Sequence, residues 1–332
     1  MMRFSLRFNN DLPAREYPVL ARAAEAAGFD QFWVSDDLFL RSAPVLLTAV
    51  ALATERIRIG TCIVNPYTLH PAEMAMMAAT LDEVSGGRFL LGLAAGAAEF
   101  LKWVGIEQDK PRTTITETIR VLKRLFAGEA APLDGAVLRW TDEAYLRFPA
   151  RPIPIYLGAL SPAMLETIGA EADGGLPLLL PPEHYDTVLP LIQAGAEKAT
   201  RSLADLDVAA CVWVSISSDR TAAEDALREK IAYYGHAMSP LIWERMGVTR
   251  ADFDPIERAI MAERNAEKAK RLVTPEMLSI GLAGTAADIL PRLEQLAERG
   301  ATHLSFGPPL GPDPLDAIEV LGRDVLPHFR RR

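Results

Sequence analysis

Short apolar runs alternate with amphipathic runs along the whole chain. The first run, Arg3–Phe8, alternates polar and apolar residues with the period of a strand, and the run after it has helical composition. Strands are predicted at Arg3–Phe8, Gln31–Ser35, Arg56–Thr61, Phe89–Ala94, Ile155–Ala159, Leu176–Leu180, Val208–Ser217 and His303–Gly307. Helices are predicted between them, at Ala14–Ala27, Pro44–Thr54, Ala72–Val84, Ile115–Ala127, Ala163–Glu171, His184–Thr200, Thr221–Tyr234 and Ala286–Arg299, with a last one from Pro314. This order predicts an α/β fold, a (β/α)8 TIM barrel with insertions, as a single domain over residues 1–332.

Three segments interrupt the alternation. Residues 131–148 contain the turn signal Leu133-Asp-Gly-Ala136 between alternating flanks, which predicts a β-hairpin-like insertion. Residues 236–274 have helical composition and are longer than a barrel connection needs, so we expect a helical insertion that caps the site or contacts another subunit. The segment Gly96–Thr114 follows the fourth predicted strand and should lie over the site.

Composition narrows the classes of function. The chain has 332 residues, 49% of them hydrophobic and 24% charged, as in ordinary globular proteins. The net charge of -9 argues against nucleic acids and anionic membranes as partners. Cys62 and Cys211 lie in separate strand-like segments, and the amino terminus lacks the apolar stretch of a signal peptide, so we expect a reducing cytoplasm. The histidines show no metal-ligand spacing with cysteine or carboxylate, and no metal site is expected.

Two loops at predicted strand ends carry candidate cofactor contacts. In α/β proteins the carboxyl ends of the strands face the ligand, which draws attention to Thr61, Cys62, Ile63 and Asn65 after the third strand. The segment Gly158-Ala-Leu-Ser-Pro-Ala163 joins the fifth strand to a helix, and its backbone N–H groups, including those of Gly158, Ala159 and Leu160, would favour a phosphate. A capped helix without a ligand is the alternative.

Several phrases resemble those of one family. Thr80-Leu-Asp-Glu-Val-Ser-Gly-Gly-Arg88 is similar to the luciferase-like monooxygenase superfamily, and Asn65-Pro-Tyr-Thr68 and Phe306–Asp313 are similar to its branch containing methylenetetrahydromethanopterin reductase, whose members use coenzyme F420. These phrases occur in the family's order, and the resemblance extends over nearly the whole chain. The resemblance implies a non-prolyl cis peptide at Cys62-Ile63, forming a bulge that supports the flavin or deazaflavin ring. With it we expect further cofactor contacts at Gly96, Leu180 and Gly307.

Acidic residues near strand ends are candidates for proton transfer. Asp36 and Asp37 follow the second strand, and Asp37 is as readily explained as a loop cap. The family that the chain resembles has carboxylates at the two positions that are Arg7 and Ala97 in this sequence. The resemblance therefore supports the fold and the cofactor better than it supports the family's substrate. Glu99 is then the nearest acidic candidate, and Arg7 would bind an anionic substrate or the cofactor's phosphate, an ion-paired structural arginine being the simpler alternative.

The resemblance implies an F420-dependent oxidoreductase that passes a hydride between the deazaflavin and an organic substrate. A methylene-tetrahydropterin or methylene-folate one-carbon carrier is one candidate substrate. Two alternatives remain open: an FMN-dependent monooxygenase on the same barrel, and a barrel that binds a cofactor or partner without turnover. Self-association as a homodimer or higher homo-oligomer is also implied.

Overall fold

The computed structural model describes residues 2–179, 181–238 and 240–330, and Leu180 lies outside them. The strands are β1 Arg3–Phe8, β2 Gln31–Val34, β3 Arg58–Thr61, β4 Phe89–Leu93, β5 Leu133–Asp134, β6 Arg139–Trp140, β7 Ile155–Leu157, β8 Gly174–Gly175, β9 Asp207–Val208, β10 Ala210–Ile216, β11 Leu282–Gly284 and β12 His303–Leu310. The helices are α1 Glu16–Ala27, α2 Ala43–Ala53, α3 Pro71–Val84, α4 Ala98–Trp103, α5 Pro111–Phe126, α6 Pro162–Glu171, α7 Tyr185–Lys198, α8 Arg220–Tyr234, α9 Pro240–Met246, α10 Asp254–Met261, α11 Ala266–Leu272, α12 Pro275–Leu278, α13 Ala286–Glu298, α14 Pro314–Val320 and α15 Leu326–Arg330.

The main sheet is parallel and closes on itself. Its order is β11-β10-β12-β1-β2-β3-β4-β7-β8-β9, and only Ala209 separates β9 from β10. Because β9 pairs with β8 and β10 pairs with β12, this one segment joins the two ends of the sheet. The predicted closed barrel of alternating strands and helices is therefore confirmed, with β11 added beside the carboxyl half of β10.

The two faces of β1 explain how the barrel is filled. Phe4, Leu6 and Phe8 pack outward into the main core against the helices. Successive strand residues point to opposite faces, so Ser5 and Arg7 point into the lumen. The lumen also holds a small apolar cluster made by Trp33, Leu90, Tyr156, Leu176, Ala209 and Cys211. Gly60 makes room for this cluster, since a Cβ there would lie 2.4 Å from the Trp33 ring.

The sixth barrel strand differs from the prediction. A strand over Leu176–Leu180 is wrong, because the ladder is formed by Gly174 and Gly175, followed by one isolated bridge from Leu178 to Cys211. Pro177 has no N–H group to donate to a ladder, which ends the regular pairing. A Cβ on Gly174 would lie 2.3 Å from the Tyr156 ring, so a glycine starts the strand.

Residues 131–148 contain the antiparallel pair β5 and β6. Leu133 faces Trp140 and Asp134 faces Arg139, so the turn spans residues 135–138 rather than the predicted 133–136. The carboxylate of Glu117, on α5, accepts hydrogen bonds from the amides of residues 136, 137 and 138 at 2.8 to 3.0 Å. This long-range contact fixes the position of the turn.

Residues 236–274 contain α9, α10 and α11. Their apolar side chains form a second core with Trp213 of β10 and with Leu227 and Ile231 of α8. In the described part of the chain, no helix is both long enough and apolar enough to cross a lipid bilayer.

Candidate active site

A cleft of about 530 Å³ lies at the carboxyl ends of the barrel strands. Arg7 from β1, Asp36 and Asp37 after β2, and Ile63 after β3 line one side of it. The loops after β4 and β7 line the other side. Residues far apart in the sequence therefore converge on one concave surface, in the place where barrel enzymes bind their ligands.

The loop after β3 forms the back of the cleft. The peptide bond between Cys62 and Ile63 is cis, as expected, and both residues line the cleft. Burial raises the pKa of the Cys62 thiol to about 12, so this thiol is neutral and unsuited to act as a nucleophile. The side-chain oxygen of Asn65 accepts hydrogen bonds from the amides of Tyr67 and Thr68, which folds the loop back towards α3.

The loops after β4 and β7 form the opposite wall. Gly96 adopts a φ of 76° beside Asn65, in a region that favours glycine. Gln108 donates hydrogen bonds to the carbonyls of Ala95 and Gly96 at 2.8 and 3.0 Å and so ties this loop to the segment before α5. No sequence pattern pointed to Gln108 itself, although its segment was expected to lie over the site.

Gly158, Ala159, Leu160 and Ser161 line the cleft immediately before α6. Ser161 occupies the N-cap position, but its side chain makes no capping hydrogen bond. Pro162 has no N–H group, and the Met164 amide donates to the carbonyl of Ser161 at 3.0 Å. The first turn of α6 therefore presents the Ala163 N–H group and the positive end of the helix dipole near the cleft. This arrangement can bind an anionic group.

Arg7 lies in the barrel lumen and is 8% exposed. Its Nε donates to Ser305 Oγ at 3.1 Å, and one Nη donates to the carbonyl of Val212 at 2.8 Å. Within the described residues, no carboxylate oxygen lies within 4.0 Å of the guanidinium. The alternative of an ion-paired structural arginine therefore does not describe Arg7.

The neighbouring carboxyl groups of Asp36 and Asp37 have different surroundings. Asp36 Oδ1 accepts a hydrogen bond from the amide of Ala43 at 2.8 Å, at the start of α2. The Asp37 carboxyl makes no hydrogen bond within the described residues. Partial desolvation by the surrounding loops raises the pKa of both groups, although the Asp37 side chain stays exposed to solvent, and the charge of Lys230 partly opposes the shift at Asp37. The capping role considered for Asp37 is thus performed by Asp36.

Three predicted site residues are not brought into the cleft. The Thr61 hydroxyl is fully buried and is bonded to the backbone carbonyl and amide of Gly92 at 2.8 and 3.0 Å, where it joins β3 to β4. Glu99 is exposed on α4 and does not line the cleft. Gly307 lies beneath Arg7, where a Cβ would come within 2.3 Å of the guanidinium.

A polar network fills the amino-terminal half of the lumen. Asp207 accepts hydrogen bonds from Tyr156 at 2.7 Å and Gln31 at 3.1 Å, and it pairs with His303 and with Arg3. Burial alone would raise the pKa of Asp207, but the bonds from His303 and Tyr156 and the charge of Arg3 hold it well below its usual range. Asp207 is therefore an ionised structural group.

Lys230 on α8 was not among the residues predicted from the sequence. Its Nζ lies 3.9 Å from the centre of the Tyr234 ring and 5.4 Å from that of Trp213, and it lines a second cavity of about 650 Å³ with Asp11. Burial lowers the pKa of Lys230 to about 8, against the opposing charges of Asp11 and Asp37. Cation–π contact supports the charged form where water is scarce.

The chain is similar to known proteins over almost its full length. Residues 4–303 match the model of the luciferase-like monooxygenase family. The 5,10-methylenetetrahydromethanopterin reductase of Archaeoglobus fulgidus is 31% identical, with 99% of this chain and 100% of the relative covered. An F420-dependent glucose-6-phosphate dehydrogenase of Nakamurella multipartita is 28% identical, with 94% of this chain and 91% of the relative covered.

Among solved structures, the coenzyme F420 dependent tetrahydromethanopterin reductase of Methanopyrus kandleri superposes with a TM-score of 0.93 at 30% identity, with 99% of both chains covered. The family match spans most of the barrel, and the structural match includes the loops that form the cleft. This protein belongs to the luciferase-like monooxygenase family.

Proposed function

We propose that this protein is an oxidoreductase that binds coenzyme F420 in the cleft and transfers a hydride between the deazaflavin ring and an organic substrate. The observation that carries the proposal is the form of the cleft. It combines an apolar wall with an uncapped helix end suited to an anion at the carboxyl face of the barrel, and it has the size of a typical cofactor pocket.

The residues present suit a planar ring. Ile63, Ala94 and Leu176 supply the apolar surface. Gly158 keeps that surface flat, because a Cβ there would lie 3.1 Å from Ile63 Cγ2 and 3.4 Å from Ala94 Cβ. The lining carries no thiolate, since Cys62 stays neutral.

Different residues of the chain would bind the ring, bind the phosphate and exchange a proton. Cys62, Ile63, Asn65 and Gly96 would hold the ring, while the N–H groups of Ala159, Leu160 and Ala163 would bind the phosphate of the cofactor's tail. The Gly158 N–H, expected to take part, instead donates to the carbonyl of Leu93 at 2.9 Å. When bound, the deazaflavin supplies the carbon that gives or receives the hydride. Asp37 would exchange a proton with the substrate, because its carboxyl makes no hydrogen bond with any residue that the structure describes and its pKa is raised.

The names of the relatives support the choice of F420 over FMN. Both the solved reductase of Methanopyrus kandleri and the dehydrogenase of Nakamurella multipartita are described as F420-dependent. They act on chemically different substrates, so they support the cofactor more strongly than any one substrate.

The proposal includes self-association in a reducing cytoplasm. Val45 and Leu52 on α2 and Met76 on the adjacent α3 are exposed apolar side chains, which would be covered at an interface between barrel helices. Cys62 and Cys211 are both free thiols, as a reducing compartment would keep them. Light scattering of the purified protein measures the assembly.

The cofactor assignment is tested by titrating the purified protein with F420 and, separately, with FMN, and by recording fluorescence quenching and calorimetric heat. We expect F420 to bind with micromolar or tighter affinity and FMN to bind much more weakly. Tight FMN binding with none of F420 would refute the proposal and favour the monooxygenase alternative. Gly158→Val should weaken F420 binding, since its side chain would fill the cleft beside Ile63, and thermal unfolding of the variant measures what the close contact costs in stability.

A further inference from the structure

The guanidinium of Arg7 is a buried cation that faces the cleft without a counter-ion. It lies beside Cys62 and lines the cleft with it. Two of its three nitrogens are committed to Ser305 and to the carbonyl of Val212. The remaining nitrogen, Nη1, has no oxygen or nitrogen acceptor within the described residues, and the guanidinium's other partner is the neutral thiol of Cys62, a weak hydrogen-bond acceptor. A desolvated guanidinium that has only a thiol on its cleft side is costly unless a ligand oxygen completes its hydrogen bonds.

Hydrogen bonds in the barrel lumen, beneath the cleft, fix the position of Arg7. Ser305 Oγ, which accepts from Nε, is 2.8 Å from Ser5 Oγ, and Ser5 Oγ is 2.8 Å from a ring nitrogen of His303. The other ring nitrogen of His303 is 3.0 Å from the ionised Asp207. This chain of bonds runs through the lumen and holds the guanidinium in one orientation. Arg7 is therefore a preorganised donor rather than a mobile surface charge.

The charges around the cleft are unevenly placed. The nearest carboxyl groups that line it, Asp36 and Asp37, lie on the loop after β2, more than 4.0 Å from the guanidinium. The nearby cation Lys230, which lies off the cleft, adds positive charge to the same side. A ligand group that is negative, or becomes negative, is favoured beside Arg7, while a cationic group there would be repelled.

We propose that Arg7 binds the oxygen of a carbonyl substrate and stabilises the negative charge that develops on it, so that the substrate pair of this enzyme is a carbonyl compound and its alcohol rather than a cationic iminium carrier. This inference rests on the proposed function and adds to it the chemical class of the substrate. It makes Arg7 a catalytic residue in the strict sense, since Nη1 would touch the reacting oxygen.

The chemical step balances with the proposed cofactor alone. A hydride, which carries two electrons, moves from the reduced deazaflavin to the carbonyl carbon, and the deazaflavin is oxidised. The electron pair of the carbonyl double bond moves to the oxygen, which becomes an alkoxide beside Arg7. The alkoxide takes one proton from the Asp37 carboxyl, which solvent then reprotonates, and gives the alcohol. The reverse direction oxidises the alcohol by the same path.

Binding of simple analogues tests the anion site directly. Calorimetric titration of the full chain, with and without oxidised F420, would compare butyrate with its uncharged isostere butyramide. We expect the wild-type protein to bind butyrate ten- to a hundredfold more tightly, as for a charge-assisted hydrogen bond. This preference should vanish in Arg7→Gln and persist in part in Arg7→Lys. The matched control is Lys102→Gln, which removes one positive charge from the exposed face of α4 and should leave the preference unchanged.

Turnover gives the second readout. With reduced F420, we expect the wild-type protein to reduce members of a panel of small ketones and aldehydes, and Arg7→Gln to lose roughly a hundredfold in kcat. Affinity for F420 should be unchanged in this variant. Turnover of a methylene-folate carrier with none of the carbonyl panel would overturn the proposal, as would equal binding of butyrate and butyramide or an unchanged preference in Arg7→Gln. If F420 does not bind at all, the proposed function fails, and the titrations of the unloaded protein still decide whether Arg7 is an anion site.

Discussion

Gly307 of β12 lies directly under the guanidinium of Arg7: a Cβ on residue 307 would come within 2.3 Å of Nη2 and 2.7 Å of Cζ. Both atoms belong to a side chain that is bonded on two sides, so the clash would not be relieved by a small rotation. We expect Gly307→Ala to displace Arg7 and to lower the free energy of unfolding by about 1–3 kcal/mol. Denaturant unfolding measures the loss, and butyrate titration measures the displacement.

The control for this substitution is a double-mutant cycle. If the clash is with Arg7, the cost of Gly307→Ala should fall by at least about 1 kcal/mol in an Arg7→Ala background. Gly86→Ala provides the comparison with a purely backbone effect, because Gly86 has a φ of 67° and a Cβ there would meet no atom within 4 Å. Additive energies at Gly307 and Arg7 would contradict the contact.

Asp36 and Asp37 make a matched pair for separating stability from catalysis. Asp36→Ala removes the hydrogen bond to the Ala43 amide, and we expect it to lower the free energy of unfolding by about 1–2 kcal/mol. Asp37→Ala removes no hydrogen bond made by the described residues and should not lower the unfolding midpoint, because the raised pKa shows that the ionised carboxyl opposes folding, while it reduces turnover by roughly a hundredfold or more. Thermal unfolding and steady-state kinetics check both. Full activity of Asp37→Ala would remove Asp37 from the proton-transfer role.

Lys230 should make stability depend on pH in the alkaline range. Burial lowers its pKa from 10.5 to about 8, so between these values the unfolded chain binds one more proton than the folded protein. The free energy of unfolding therefore increases as pH rises from 8 to 10.5, by roughly 3 kcal/mol at most. Below pH 8 the charged amine opposes folding by the full amount.

The measurement is the difference in unfolding free energy between the wild-type protein and Lys230→Met from pH 7 to 10.5. We expect the wild-type protein to gain stability relative to the variant across this range. Lys268→Met, which removes an exposed lysine paired with Glu263, should show no such trend. A flat difference for Lys230→Met would show that this amine has an ordinary pKa.

The barrel was predictable because its signals are local. In β1, the alternation of Phe4, Leu6 and Phe8 with Ser5 and Arg7 already separates the outer face from the lumen. Helix starts at Pro71 and Pro162 are likewise visible in the sequence, because proline is preformed for the first helical position. The loop after β3 was found because its residues follow a strand end directly.

The errors arise where distant residues decide the local structure. Pro177 ends the ladder of the sixth barrel strand, and the turn between β5 and β6 is placed by Glu117 on another element. Glu99 follows a strand end in sequence, yet the short helix α4 turns it towards solvent. Lys230 was missed because only Tyr234 of its neighbours lies on the same helix, whereas Trp213 of β10 and the carboxyl group of Asp11 come from elements that helical periodicity does not reveal.

The central claim is that the cleft holds the deazaflavin ring. A crystal structure of the protein with bound F420 tests it most directly. We predict that the ring lies against Ile63 and Gly158 and that the phosphate of the cofactor contacts the backbone between residues 158 and 163. A ring bound in the second cavity beside Lys230, or outside the barrel mouth, would contradict the account.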